Sequence, residues 1–510
     1  MALNKGVIKY NADSLAKGIA SSVFGLSITD YGSFDNGEYI CDANTTKTGI
    51  SILSQRSNYR HSILPAPQTD LQKDMGSNIG QAYDATTTSN GNIFYLTSSG
   101  NVIRNIAGVW TDLGVIVASS TADGGIWTHI DNTGIEKVYV AGNAGGNFVV
   151  KTMNNDGTGI AVLYNAAQPD ATAQHRGTTG ILNRTYMTNG RYIATYDPTT
   201  NTFTNNKINL GIGWITTSIR NYGNYMAITG YKSNAQSRLW LWDGASEFPN
   251  FQYNINDLYA TCFAEGGRLF IFSSGKNATT KLYEFNNADI SGEPIWQTSD
   301  TNRSALPEQG SIDSFNDGIY WKGTTGYIFA YQKYKGIWGV HKPYQGTTFN
   351  LSNSLPHLCK ALYSNILYVS GGEGSNASSN TYFSSCNLVA NTYSTVSSSF
   401  SLPTVVMPHS STIEYVKVYF SEFTDLGVGK DPTFGYAVRN ISTGIDFDNT
   451  GKNRIRYSDL TAAGLSPTNY TYHVFTLKST PIDILKMTFF LTGCVVREIH
   501  VGYSYDDLTL

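Results

Sequence analysis

The chain has 510 residues, with 50 Gly, 34 Tyr and 23 Phe, only 14% charged residues and a formal net charge of −3. A chain of this length can bury a large core and divide into two or three domains, and its mild acidity shows no basic footprint for nucleic acid, short of a local patch formed in an assembly. Its polar residues are mostly Asn, Thr and Ser rather than the Lys, Glu and Arg of amphipathic helices, which favours strands and turns. No stretch approaches the roughly 20 apolar residues of a membrane helix, so membrane insertion is not expected. Cys41, Cys262, Cys359, Cys386 and Cys494 are scattered, without CxxC spacing, and read as small buried hydrophobes.

Residues 1–75 show little periodicity and read as an extended N-terminal arm, partly strand. The opening Met-Ala-Leu-Asn-Lys-Gly lacks the apolar run of roughly 7–15 residues found in a signal peptide. Within the arm stand Gly25-Leu26-Ser27-Ile28, Asp35-Asn36-Gly37-Glu38-Tyr39, Asp42-Ala43-Asn44 and Gln55-Arg56-Ser57-Asn58-Tyr59. This arrangement resembles the opening of a family of bacteriophage virion proteins of tails and necks, which includes the tail nozzle proteins of short-tailed phages. Ser27 stands where the family has asparagine, and Arg56-Ser57-Asn58-Tyr59 replaces its proline-glycine turn. The resemblance implies a β-propeller after the arm, a place in the virion, and an assembly role for Gly25, Leu26, Asp35, Gly37, Glu38, Asn44, Arg56 and Tyr59.

From residue 76 to 400 one unit recurs: a Gly or Asn, a short apolar run, a Gly/Asn/Ser turn, and a second apolar run. Ile93, Val138, Tyr192, Tyr225, Leu269, Ile319 and Ile366 anchor seven instances, 33 to 54 residues apart and about 45 on average, the length of a four-stranded propeller blade. Second runs follow at Arg238–Asp243, Lys281–Phe285 and Tyr327–Tyr331. Asn-Gly at 36, 90 and 189 and Asp-Gly at 123, 156, 243 and 317 are tight-turn signals, because Gly accepts positive φ at no steric cost. A single four-stranded sheet cannot bury both faces, whereas blades stacked in a ring do so and leave only short edges. The expectation is an all-β chain with a β-propeller of about seven blades.

Beyond Phe400 the strands lengthen: Ile413–Phe420, Phe434–Val438, Tyr470–Leu477, Met487–Leu491 and Val495–Tyr503. Several alternate polar and apolar residues as half-buried strands do. Residues 401–510 read as a separate β-sandwich of jelly-roll type. Within it Asp446-Phe-Asp448-Asn-Thr-Gly451 places carboxylates at alternate positions before a glycine, a candidate calcium turn. Tyr457 stands where an EF-hand would put its Glu, and a solvated hairpin is the competing reading.

Catalytic signatures are absent from the linear sequence. His61, His129, His175, His341, His357, His409, His473 and His500 form neither HxH nor HExxH. Gly427-Val-Gly429-Lys430-Asp431 and Gly275-Lys276-Asn277 lack the spacing and Ser/Thr of a nucleotide loop. Thr121-Ala-Asp123-Gly-Gly125-Ile-Trp127 is similar to the Asp-box turn of propeller hydrolases, with Trp one residue early. The reading is a non-enzymatic structural component of a phage virion, without cofactor or specific nucleic acid. It would form a homo-oligomeric ring, contact other virion proteins and bind a host cell-surface glycan as a further role. The alternative is a carbohydrate-binding or glycan-degrading host-recognition protein on the same fold.

Overall fold

The computed structural model describes residues 3–11, 21–22, 50–51, 64–65, 69–117, 123–131, 133–170, 172–233, 236–275, 280–286, 290, 294, 296–298, 306–315, 318–322, 328–332, 336–341, 358–363, 366–372, 381–387, 398–401, 405–423, 431–447, 453–477 and 479–506. These fall into two compact units. One comprises Asp70–Gly326 and Asn353–Ser385; the other comprises Met1–Thr69, Tyr327–Ser352 and Cys386–Leu510.

Seven antiparallel sheets of four strands follow one another along the chain. Their innermost strands are Ala82–Thr87, Gly125–Ile130, Gly177–Thr179, Trp214–Tyr222, Tyr259–Glu265, Ile312–Phe315 and Leu358–Tyr363. Each packs against the next, and the last packs against the first, so the seven close into a ring. This is a seven-bladed propeller.

The fourth blade explains why the blades stack. Its third strand contains Leu239, Trp240, Leu241 and Trp242, all buried although successive residues face opposite sides of the sheet. Trp240 and Trp242 pack with Tyr186, Ile193 and Ile219 on one side. Leu239 and Leu241 pack with Ala260, Cys262 and Ile271 on the other. Both faces are therefore core, which only a neighbour on each side can provide.

The turn signals mark real turns at Gly91, Gly157, Gly190 and Gly244, all at positive φ. Asn36, Gly37 and Asp317 lie outside the described residues, and among the described signals Asp123-Gly124 differs. It leads into the innermost strand of blade 2, where Asp123 accepts the His175 backbone N–H at 2.6 Å. The Asp-box-like segment is therefore a channel-lining strand, not a blade's outer turn. The small residues are needed for close approach: a Cβ on Gly177, in the adjoining innermost strand, would lie 2.1 Å from the Trp127 ring.

The anchors fall on second strands, except Tyr192, which lies on the third strand of blade 3 (Tyr192–Asp197). The second strand there is Thr185–Asn189, and this displacement accounts for the uneven spacing around it.

The expected boundaries are corrected at both ends of the propeller. Its seventh sheet takes its outermost strand from Thr69–Asp74, within the supposed arm. Met75 N–H then donates to Thr381 C=O, and Thr381 N–H to Ser77 C=O, both at 3.0 Å. An outermost blade strand is solvated, so Thr-Asp-Leu-Gln-Lys-Asp carries almost no apolar signal. The last strand ends at Asn387, and Ser398–Ser401 already belongs to the sandwich.

The sandwich strands are β1 (Leu3–Asn11), β2 (Ser398–Ser401), β3 (Val405–Phe423), β4 (Thr433–Asn440), β5 (Ile445–Phe447), β6 (Arg454–Arg456), β7 (Tyr472–Thr476), β8 (Ile482–Thr492) and β9 (Cys494–Asp506). The first half of β3 pairs with β8 and the second half with β9, the register breaking between Val406 and Ser411. Ser410 there has φ 49°. One layer runs β1-β9-β3-β7 and the other β3-β8-β4-β5, which is the strand order of a jelly roll. Phe434 of β4 meets Phe420 of β3 and Phe475 of β7 across the layers, with ring centroids 5.8 and 6.2 Å apart. The arm expectation fails here too: β1 is a strand of the sandwich, paired with β9 from Leu3–Asp506 to Asn11–Glu498 and, on its other side, with Ser21–Ser22 at Lys9 and Ile8. In sequence, the propeller is inserted between β1 and β2.

His175, buried and stacked on Phe148 with centroids 4.7 Å apart, yields a pH prediction. Burial pushes its pKa down to about 4. The unfolded chain, with an ordinary His near 6.5, takes up the proton first as pH falls. Stability is thus fully present above about 6.5 and declines as pH drops towards 4, by about 3 kcal/mol for this group. Urea unfolding at pH 7.5, 6 and 5 should show that slope, and His175→Phe should flatten it.

Candidate functional site: the propeller axis

The axis gathers charge from strands far apart in sequence. Asp84 lies on the innermost strand of blade 1, Arg220 on that of blade 4 and Lys360 on that of blade 7. Arg176 precedes the innermost strand of blade 3. Into their midst comes a 3-10 turn, Gln309–Ser311, just before blade 6.

The turn acts as a plug. Gln309 accepts the Ile219 N–H through its side-chain oxygen at 2.8 Å and donates its amide to Gly177 C=O at 2.9 Å, joining blades 3 and 4. Arg220 donates to the Gln309 carbonyl at 2.8 Å. Gly310 lies so close to the first blade that a Cβ would stand 2.1 Å from the Tyr83 carbonyl oxygen.

Charges around the plug are paired. The fully buried Arg176 donates to Gly124 C=O at 2.6 Å and to Glu308 at 3.1 Å, with its guanidinium 5.5 Å from the Tyr83 ring centroid. Asp84 accepts the backbone N–H groups of Ala85 and Ile126 at 2.9 and 3.1 Å and lies 3.7 Å from the Lys360 ammonium. Burial lowers the pKa of Arg220, opposed by Asp84 and Asp313. Burial also lowers Lys322, against the pull of Glu308, and raises the Tyr83 hydroxyl. A buried charge left alone is strongly unfavourable, so a paired set like this holds one arrangement of the blades.

Beside the plug is a cavity of about 180 Å³ lined by Asp84, Trp127, Thr179, Arg220, Gln309 and Lys360. His129 Nδ1 lies 2.6 Å from the Thr179 hydroxyl, and burial lowers its pKa. Asp84 is engaged by two N–H groups and Lys360, which suits a structural anchor better than a general base. Among the described residues, no group of three or more His, Cys, Asp or Glu is placed to hold a metal ion, and no helix is long and apolar enough to cross a membrane.

The residues singled out in the sequence lie elsewhere. Gly25, Leu26, Asp35, Gly37, Glu38, Asn44, Arg56 and Tyr59 are outside the described residues, as is Asp448. Asp446 is exposed on β5, with Arg439 Nε 3.6 Å from its carboxylate. Asp431 accepts the Ser458 backbone N–H at 2.8 Å, and Gly427, Gly429 and Lys430 are outside the described residues. No sequence motif marks the axial charges, although Lys360 in Leu-Cys-Lys-Ala-Leu and Asp84 in Ala-Tyr-Asp-Ala interrupt apolar strands. In so weakly charged a chain that interruption was the available signal.

The fold thus defines the class: a seven-bladed propeller carried within the chain of a jelly-roll sandwich. No protein-family model matches the chain, and neither does any curated protein. Among solved structures it is similar to Raptor of Chaetomium thermophilum, at 12% identity and a TM-score of 0.43, over 63% of this chain and 30% of that one. The computationally designed Ika8 protein matches 68% of this chain and 98% of its own at 12% identity and a TM-score of 0.39. U3-55K matches 63% and 99% at 12% and 0.40.

Proposed function

We propose that the chain is a structural component of a bacteriophage virion, in the tail, neck or adsorption apparatus, and that it acts by assembling with copies of itself and with other virion proteins. The observation that carries the assembly reading is the axis. Where a propeller can seat a ligand, this chain has placed its own turn and tied it to the blades through Gln309 and Arg220. A propeller filled in this way is suited to work through its outer surface. Large apolar side chains stand exposed there, Ile212 at 81% and Phe248 at 71% among them. The phage assignment rests on the N-terminal pattern of Gly25, Leu26, Gly37, Glu38 and Asn44. Sedimentation of the purified chain and mass spectrometry of the parent particles test the proposal. The expected result is a closed ring of copies, with the chain recovered in virions. A monomer absent from particles and hydrolysing glycans would overturn it.

A second reading, binding of a host-surface glycan, draws support from the tyrosines on the outer face of the sandwich.

A further inference from the structure

The layer β1-β9-β3-β7 has one face in the core and one turned outward, and pairing aligns the outward residues in rows. Val7, Gly502, Tyr415 and Thr476 form one row; Lys9, His500, Lys417 and Val474 form the next. Glu498, Tyr419 and Tyr472 form a third. Tyr472 is 50% exposed and Val474 43%.

Two features make this face more than a solvated sheet. First, Tyr415 lies flat on it. A Cβ on Gly502 would stand 2.1 Å from its ring, so glycine leaves the space the ring occupies, and Tyr415 stays partly exposed there. Second, the face is basic. The Lys417 ammonium sits 4.6 and 4.5 Å from the ring centroids of Tyr419 and Tyr472, and the Arg497 guanidinium 5.7 Å from that of Tyr419. Lys5 and Lys9 extend the positive charge along β1. Among the described side chains, the carboxylates beside these cations are engaged: Glu498 lies 2.9 Å from His500 Nε2, and Glu414 accepts the Ser504 hydroxyl at 2.6 Å.

We propose that this face binds an acidic polysaccharide, with a pyranose ring stacked on Tyr415 and the carboxylates of neighbouring uronic acids held by Lys417 and Lys9. Tyr415 and Lys417 are two residues apart on one strand, about 6.8 Å, so one run of linked sugars can meet both. The cation–π contacts hold the Lys417 ammonium at the surface without neutralising it. The inference stands independently of a place in a virion, since assembly and glycan binding are read by different measurements.

The test is calorimetric titration of the full chain with polygalacturonate oligosaccharides and, in parallel, neutral maltooligosaccharides. Binding is expected for the acidic probe alone, weakening as salt is raised. Lys417→Glu and Tyr415→Ala should each weaken it at least tenfold, while Tyr415→Phe keeps the ring and binds as the parent does. Thermal melts within a degree or two of the parent establish that these surface variants fold, and Lys9→Glu replaces any that does not. No binding, equal binding of the neutral probe, or affinity unchanged in Lys417→Glu and Tyr415→Ala would overturn the proposal. So would a change in oligomeric mass in those variants in place of a change in affinity, because the face would then serve contact between copies.

Discussion

A chain beginning at residue 76 should fail to fold in either unit, although its first 75 residues look dispensable. It lacks Thr69–Asp74, so the seventh blade loses the outer strand that closes the ring. It also lacks β1, which leaves β9 with an open edge along nine paired residues and removes the fully buried Ile8. An open, hydrogen-bond-hungry edge invites aggregation as well as instability. Each unit should lose on the order of 5 kcal/mol, comparable to the roughly 5–15 kcal/mol of net stability a domain has. Circular dichroism and thermal unfolding of the soluble fraction would measure this. The expected outcome is little soluble protein and no cooperative melt. Removing residues 1–11 alone should weaken the sandwich and leave the propeller transition in place. A cooperative, parent-like melt of the shorter chain would contradict both strand assignments.

The second large effect is expected from Gly310→Val. Most core clashes can be relieved by turning a side chain, but here the opposing atoms are backbone: Tyr83 O at 2.1 Å and Asp84 Cα at 2.9 Å from the added Cβ. Either the plug withdraws or blade 1 shifts. Withdrawal breaks both hydrogen bonds of the Gln309 side chain and leaves the Ile219 N–H and Gly177 C=O without them. Overpacking and lost buried hydrogen bonds together predict about 3 kcal/mol or more. Chemical denaturation would read this as an earlier midpoint with an unchanged slope. Gln309→Leu supplies the comparison, removing the two hydrogen bonds without the clash, and should lose less. Equal stability of Gly310→Val and the parent would mean that the turn does not occupy the axis.

What the sequence made legible followed from burial. The second and third strands of each blade lie between two others and two neighbouring blades, so runs such as Leu-Phe-Ile-Phe at 269–272 and Leu-Trp-Leu-Trp at 239–242 are apolar throughout and stand out. Outer strands are half solvated. Thr202–Asn209 reads as polar filler, and the closing strand Thr69–Asp74 is hidden for the same reason. β1 shows a second kind of concealment: Lys5, Val7 and Lys9 face outward and Gly6 takes an inner position beneath Tyr503, which leaves Ile8 as its fully buried hydrophobe. The axial cluster is illegible for a geometric reason. Asp84, Arg176, Gln309 and Lys360 meet only because a ring brings seven separate strands to one line, and no local spacing encodes that meeting.

The pairing of Leu3 with Asp506 also fixes an order of events during synthesis. β1 leaves the ribosome before the seven blades, and its partner β9 leaves after them. All seven blades are made in the interval, and nothing in their ring requires β9, so the propeller can be complete while the sandwich is still waiting for its final strand. Domains fold as units during synthesis, N-terminal parts first, at roughly 5–20 residues per second, so β1 spends on the order of a minute without its partner. A ribosome stalled before residue 494 would therefore hold a chain with a finished ring and an unsealed second domain.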